Sequence, residues 1–327
     1  MGGDFAPIAP VGGALLALAE LGAEHRIQLI GRETDISSTL ATALNGEFSA
    51  LSAHRDRLDI VDAPDVVAMA DKPTAVIRRP LSSMSVGLRR TADGHADAFV
   101  SAGNTGAQMA ASVQILGLHD GLKRPAIGTI FPTALQTVVV LDSGANVDCS
   151  PDELVHFARL GLVYAEDILG RRNPSVGLLS IGEEPEKGNA AVKEAHKLLA
   201  RSGLNFIGNV EGRDVAAGSC DRGPFDVVVC DGFTGNVILK FYEGLAPTLI
   251  RMIADSTHAD PHELMKGLSH LDASNYGGAP LLGVKGVSII AHGSSSPRAI
   301  KNAVNVAVRA TESQMSEHIG RRLCVPG

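Results

Sequence analysis

The chain has 327 residues, long enough for one large α/β domain, or for two lobes sharing a sheet, with a sizeable core. Hydrophobic residues make up 45% and aromatics only 4%, with no Trp, so Ala, Val, Leu and Ile must fill that core. The formal charge of −7, from 29 Lys and Arg against 36 Asp and Glu, lacks the basic excess of proteins that track a phosphate backbone, so nucleic acid is not an expected partner.

Short β-branched or aliphatic runs alternate with longer stretches of helical spacing, which predicts βαβ units and a largely parallel sheet. In chain order the pattern gives a helix at Val11–Leu21, a strand at Ile27–Ile30, and weak periodicity over 47–64 with room for a short helix and strand. A strand at Ala98–Ser101 leads to a helix at Ala107–Leu116, and strands at Ala126–Ile130 and Thr137–Leu141 precede a helix at Asp152–Leu169. Ser150, Pro151 and Glu153 predict a capping box with Pro at the first helical position. Then come a strand at Val176–Ser180, a helix at Asn189–Arg201, strands at Phe206–Gly208 and Asp226–Cys230, a helix at Val237–Ala254, a strand at Val287–Ala291 and a helix at Arg298–His318.

Residues 242–280 read as a helical insertion outside the sheet. Leu245, Leu249, Met252 and Ile253 share one helical face, and Leu264, Met265, Leu268 and Leu271 make a second stripe after the polar break Asp255–His262. Core or dimer packing is one reading of these stripes. An amphipathic contact with a membrane surface or membrane partner is the other.

The four cysteines, at 149, 220, 230 and 324, form no close C-x-x-C pair, so no metal site is expected. No basic stretch leads into an apolar run at the N-terminus, and no apolar run approaches the ~18 residues that span a bilayer. A cytoplasmic protein with reduced thiols is the expectation.

Several predicted strands end in a Gly-containing polar turn that opens a helix. These read SAGNTGA at Ser101–Ala107, DSGANVDCSP at Asp142–Pro151, SIGEEPEKGN at Ser180–Asn189, CDGFTGN at Cys230–Asn236 and AHGSSSP at Ala291–Pro297. In a parallel sheet such turns gather at the carboxyl edge, where free N–H groups at helix starts bind anions. Any one of these glycines is as well explained by the turn itself. No Walker A loop occurs, and no G-x-G-x-x-G opens a first βα turn.

These turns, with MGGDFAP at Met1–Pro7, DKPTAVIRRPLSSM at Asp71–Met84 and the run from Asn275 to Ala303, resemble the bacterial phosphate acyltransferases, in order and from Met1 to about Glu317. The resemblance implies a three-layer α/β/α fold like that of isocitrate and isopropylmalate dehydrogenases, in a single phosphate acyltransferase domain. It implies a homodimer that moves a long acyl chain from acyl carrier protein to inorganic phosphate, giving acyl phosphate for phospholipid synthesis, with no cofactor. Peripheral membrane association and a contact with the membrane glycerol-3-phosphate acyltransferase are further expectations.

Phosphate is itself a nucleophile, so the reaction needs a site that orients the dianion and stabilises an oxyanion. Lys187 and Asn236 are the catalytic candidates. Asp4, Gly103, Asn104, Thr105, Gly106, Asn146, Gly293, Ser294, Ser295 and Ser296 are the candidates for holding phosphate and thioester. Each has a plainer reading: Lys187 could pair with the glutamates of its own turn, Asn104 and Asn236 could be helix caps, and Cys149 could be a small buried hydrophobe. Asp142 and Asp231 at strand ends could orient donors but would repel phosphate. Five basic pairs, Arg78-Arg79, Arg89-Arg90, Lys123-Arg124, Arg171-Arg172 and Arg321-Arg322, are either solvated surface or a dock for an acidic partner. Gly2-Gly3-Asp4 reads as a turn at the end of a strand, so the natural protein is expected to begin several residues upstream.

Overall fold

A computed structural model describes residues 1–133, 135–257, 260 and 277–323. In chain order the elements are α1 (Ile8–Glu20), β1 (Ile27–Gly31), α2 (Glu33–Asn45), β2 (Leu58–Asp62), α3 (Ser83–Ala92), β3 (Ala98–Ser101), α4 (Thr105–Ile115), β4 (Ala126–Phe131) and β5 (Val138–Leu141). They continue with α5 (Pro151–Asp167), β6 (Val176–Leu179), α6 (Ala190–Arg201), β7 (Phe206–Val210), α7 (Gly212–Ala217), β8 (Ser219–Cys220), β9 (Gly223–Pro224), β10 (Val227–Val229) and α8 (Gly232–Thr257). The last are β11 (Ala279–Leu282), β12 (Val287–Ile290), α9 (Pro297–Glu312) and α10 (Met315–Leu323). The chain forms two compact units, Met1–Leu118 with Gly277–Ser316, and His119–Tyr276 with Glu317–Gly327.

In the first unit β12 lies parallel to β3, in the register Val287↔Ala98 to Ile290↔Ser101. The turns that follow these two strands, SAGNTGA and AHGSSSP, therefore leave at the same sheet edge. β11 joins β12 antiparallel, and β1 and β2 make a separate parallel pair. Helix α1 packs on α9, and Lys301 reaches Glu20 at 2.7 Å.

In the second unit the strand order is β4-β5-β10-β6-β7. β5, β10, β6 and β7 are mutually parallel, and β4 runs antiparallel to β5. Val138–Leu141, Val227–Val229 and Val176–Leu179 are buried at every position. Such unbroken apolar runs mark strands covered on both faces. The turns after β5, β6 and β10 share one edge. Helix α5 starts with the expected capping box: Ser150 Oγ accepts from the Glu153 N–H, and the Glu153 carboxylate accepts from the Ser150 N–H. In α10, His318 lies 3.0 Å from Asp167 and Arg322 lies 2.6 Å from Glu166.

The structure departs from the expected pattern in several places, and α7, β8, β9 and β11 are elements that the sequence pattern does not predict. β4 and β11 are antiparallel, which a run of apolar residues cannot reveal. The predicted helix Arg298–His318 is two helices, because Gln314 takes a left-handed φ of 53°. Helices α2 and α3 carry few buried apolar residues and show no clear stripe in the sequence. Of the helical insertion, α8 is described as far as Thr257, and Leu264, Met265, Leu268 and Leu271 lie outside the described residues. Among the described residues no helix is long and apolar enough to cross a membrane.

The capping box is testable by itself. Replacing Ser150 with Ala should lower unfolding free energy by about 0.5–2 kcal/mol, the usual cost of losing such a cap. Denaturant titration at unchanged slope would register it, and an unchanged midpoint would mean the cap contributes nothing.

Candidate functional site

In the first unit three turns meet. The Asp4 N–H donates to the Gly293 carbonyl at 2.9 Å, joining the first turn of the chain to the turn after β12. Gly3 lies so close to Ala102 and Gly293 that a Cβ there would stand 2.8 Å from one carbonyl oxygen and 3.2 Å from the other. The Gly103 N–H donates to Ser101 Oγ. The structure thus brings Asp4, Gly103 and Gly293 together, and the Asp4 side chain is exposed.

The neighbouring candidates divide by what their side chains already do. Asn104 caps α4, accepting from the Ala107 N–H at 2.9 Å, while its amide nitrogen donates to the carbonyls of Met69 and Asp71 at 3.0 and 2.9 Å. It ties the helix start to the segment before Asp71. Thr105 at the start of α4 is exposed, and Gly106 packs on Pro73. Ser296 caps α9 through the Ala299 N–H. Ser295 is buried, with its N–H on the His292 carbonyl, and Ser294 Oγ lies 2.8 Å from His292 Nδ1. The Ser294 N–H also donates to that Nδ1, so the nitrogen acts as an acceptor.

In the second unit the fully buried Asp142 organises the edge. Its carboxylate accepts from the N–H groups of Ile127, Ala145 and Asn146 and from Asn146 Nδ2, at 3.0, 3.1, 2.7 and 2.8 Å. Burial pushes its carboxyl above the usual range, and the donors pull the other way. Asn146 Nδ2 also donates to the Pro125 carbonyl at 2.8 Å, so both of its side-chain N–H bonds are spent inside the protein. Its own carbonyl accepts from the Gly232 N–H at 2.7 Å, which seats α8 against the turn after β5. Gly235 must be glycine here, because a Cβ would collide with the Asp142 carbonyl oxygen.

Asp231 caps α8, accepting from the Thr234 N–H at 2.8 Å and from Thr234 Oγ1 at 3.0 Å. Asn236 is therefore not the cap. It stands exposed on the first turns of α8, beside Gly144, and makes no hydrogen bond with a described residue. Lys187 is exposed on the turn after β6 and pairs with no described carboxylate, although three glutamates share its turn. Glu183 is instead engaged by Arg222 at 3.4 Å and Arg213 at 3.9 Å.

The carboxylates of Glu183, Glu211 and Asp214 lie within 4.8 Å of one another, a spacing that could hold a cation. Arg213 reaches all three and Arg222 reaches Glu183, so guanidinium groups already answer this charge. Burial and the nearby Asp142 push the Cys149 thiol up to about 12, which keeps it protonated and a poor nucleophile at neutral pH.

Each basic pair has at least one member committed locally. Arg79 holds Asp71, Arg90 donates to Gln28, Arg124 lies beside Glu153, Arg171 beside Asp226, and Arg322 reaches Glu166. Arg78 and Lys123 are exposed and make no ion pair with a described residue. Helix α8 carries an exposed apolar stripe through Phe233, Val237, Phe241, Leu245, Leu249 and Met252.

The fold is that of a phosphotransacylase-like α/β protein. The chain is similar to a branched-chain phosphotransacylase from Enterococcus faecalis, at 14% identity over 95% of this chain and 96% of that one, with a TM-score of 0.60. It is also similar to a putative 4-hydroxythreonine-4-phosphate dehydrogenase from Salmonella typhimurium, at 12% identity over 91% and 94%, with a TM-score of 0.54. At these identities the likeness speaks for the fold alone, the α/β fold of the isocitrate dehydrogenase type. Sequence goes further. Residues 1–318 match the family described as fatty acid synthesis protein. The phosphate acyltransferase of Desulforamulus reducens is 46% identical over 322 residues, 95% of this chain and 92% of that one, and that of Aquifex aeolicus is 45% identical over 317 residues, 94% and 90%. This chain belongs to the phosphate acyltransferase family of fatty acid synthesis proteins.

The Asp142 arrangement predicts a severe effect. Changing Asp142 to Ala leaves its buried N–H donors without an acceptor, at about 1–3 kcal/mol for each unsatisfied group. Unfolding should shift by several degrees or more, or the protein should fail to fold. A melting temperature equal to the wild type's would remove Asp142 from its organising role.

Proposed function

We propose that this chain transfers a fatty acyl group from acyl carrier protein to inorganic phosphate, giving acyl phosphate and the holo carrier for phospholipid synthesis. The observation that carries the reading is Lys187: a lysine in a turn with three glutamates that makes no ion pair with any described residue is available to an anion. The family supplies the acyl and phosphate chemistry. In the reaction an oxygen of the phosphate dianion attacks the thioester carbonyl. The carbonyl oxygen takes up the negative charge, then the C–S bond breaks and the carrier leaves as a thiolate that takes a proton from water. Lys187 and the Asn236 amide stabilise the developing oxyanion or the incoming phosphate. In the first unit the Asp4 and Gly103 N–H groups are already bonded, and the N–H groups of Thr105 and Gly106 at the start of α4 are the ones left to meet an anion.

No acyl-enzyme is needed, because the nucleophile is the substrate. A Cys149 thiol held up near 12 agrees with that, since the thiolate would be scarce. The exposed apolar stripe of α8 supports a homodimer or a peripheral contact with the membrane or a membrane acyltransferase. Arg78 and Lys123, exposed and in no ion pair with a described residue, are the first candidates to greet an acidic carrier.

Phosphate-dependent consumption of palmitoyl carrier protein should far exceed that of acetyl-CoA. A preference for acetyl-CoA would make this a short-chain phosphotransacetylase. Lys187→Ala should reduce turnover about 100-fold or more, on the scale of a lost oxyanion donor, without loss of folding. Cys149→Ala should keep most of the activity, and a stable acyl adduct on Cys149 during turnover would overturn direct attack. Charge reversal at Arg78 or Lys123 should raise KM for the carrier more than for phosphate and weaken the salt dependence. If neither reversal nor added salt changes KM, electrostatic docking at these residues is wrong.

A further inference from the structure

The turn that carries Lys187 is held by a side chain on the neighbouring strand. Asn209 on β7 stands opposite Leu178 of β6 and is fully buried. Its Nδ2 donates to the Glu184 carbonyl at 2.8 Å. That same carbonyl accepts the Lys187 N–H at 3.0 Å, closing the turn over Glu184–Lys187. On its other side the Asn209 amide meets His196 Nδ1 at 2.8 Å. A carbonyl partner can only accept, so the amide nitrogen must face Glu184 and the amide oxygen must face the histidine. His196 then carries a proton on Nδ1 and donates. The imidazole is fixed in turn by an edge-on contact with Phe206, with ring centroids 5.1 Å apart.

A second tie reaches the same turn. Arg222 donates to the Asn209 carbonyl and lies 3.4 Å from Glu183. The Lys187 stem lies over Gly182, where a Cβ would stand 2.9 Å from Lys187 Cγ. The exposed lysine therefore rises from a turn whose main chain is anchored at Glu184 by a buried side-chain donor. A Leu at Asn209 would leave the Glu184 carbonyl without that donor and His196 without its acceptor.

We infer that Asn209, buttressed by His196, is a positioning residue for Lys187, acting through the Glu184 carbonyl and not by touching substrate. The inference rests on the reading of Lys187 as the cation that serves the reaction. It predicts that the polarity of the Asn209 side chain, and not its size, sets the rate.

Asn209→Asp is the direct test. It keeps the size and the contact with His196 but places an oxygen that cannot donate against the Glu184 carbonyl. Turnover of acyl carrier protein and phosphate should fall about 10- to 100-fold, the scale of a small misplacement of a catalytic group. The deficit relative to wild type should narrow as pH falls, because a protonated carboxyl regains a donor. In the Lys187→Ala background the same change should leave the residual rate where it was. If Asn209→Asp does not fold, His196→Ala provides the second variant. It leaves the amide held on the Glu184 side alone and so loosens the anchor, and should lower turnover, by less than Asn209→Asp, with the same dependence on Lys187. Wild-type turnover in a folded variant, or an equal loss with and without Lys187, overturns the positioning role while leaving Lys187 in place. Near-normal turnover in Lys187→Ala alone removes the reading of Lys187, and the positioning role with it.

Discussion

A carboxylate shut away from water must be answered by donors within the protein, and in the second unit Asp142 is answered by three backbone N–H groups and one side-chain amide. These donors come from β4, from the turn that follows β5, and from Asn146. The cost of desolvating the charge is met only if all of them arrive together, so the bond set fixes the path of the chain from Leu141 to Asn146. Asn146 passes the constraint on through its carbonyl to Gly232, and so to the start of α8 and Asn236. Asp142 is thus turned inward, its carboxylate oxygens taken up by main-chain and amide donors of the same edge.

The same economy governs the turn after β6. Glu183 is neutralised by Arg213 and Arg222, and Glu184 contributes its main-chain carbonyl to closing the turn. Lys187 is left with its charge uncommitted among the described residues. Cations that are already paired bind anions weakly, because a new partner must first displace the old one. In the first unit the equivalent contribution comes from backbone alone, where Gly3, Gly103 and Gly293 allow three turns to approach one another.

Much of this was legible in the sequence because parallel strands buried on both faces leave an unmistakable mark. VVVL at Val138–Leu141 and VVV at Val227–Val229 are surrounded by polar glycine turns, and strand and turn could be read together. The capping box at Ser150 was legible for the same reason: it is a local arrangement. What could not be read was tertiary. Helix α3 contains a glycine, Gly87, that weakens the helical signal yet is required because a Cβ would strike the Phe99 ring. Helix α2 buries only Ile36 and Leu40 among its polar residues. The direction of β4 depends on its partner and not on its own residues. Among the site candidates, the sequence could not say that Asn104 is occupied as a cap and Asn146 by Asp142, or that Lys187 escapes its neighbouring glutamates. Asn209 gave no signal at all, since a single Asn in a short strand points to nothing until the Glu184 carbonyl is seen beside it.

The central claim is that acyl transfer ends on phosphate. The most direct measurement supplies the purified chain with radiolabelled inorganic phosphate and an acyl carrier protein thioester, and follows both the free carrier thiol and the label that passes into organic solvent as acyl phosphate. The account predicts that the two appear together in a ratio of one to one and that neither appears when phosphate is left out. Release of carrier thiol without transfer of label to the acyl chain would contradict it, since the thioester would then be giving its acyl group to water or to another acceptor.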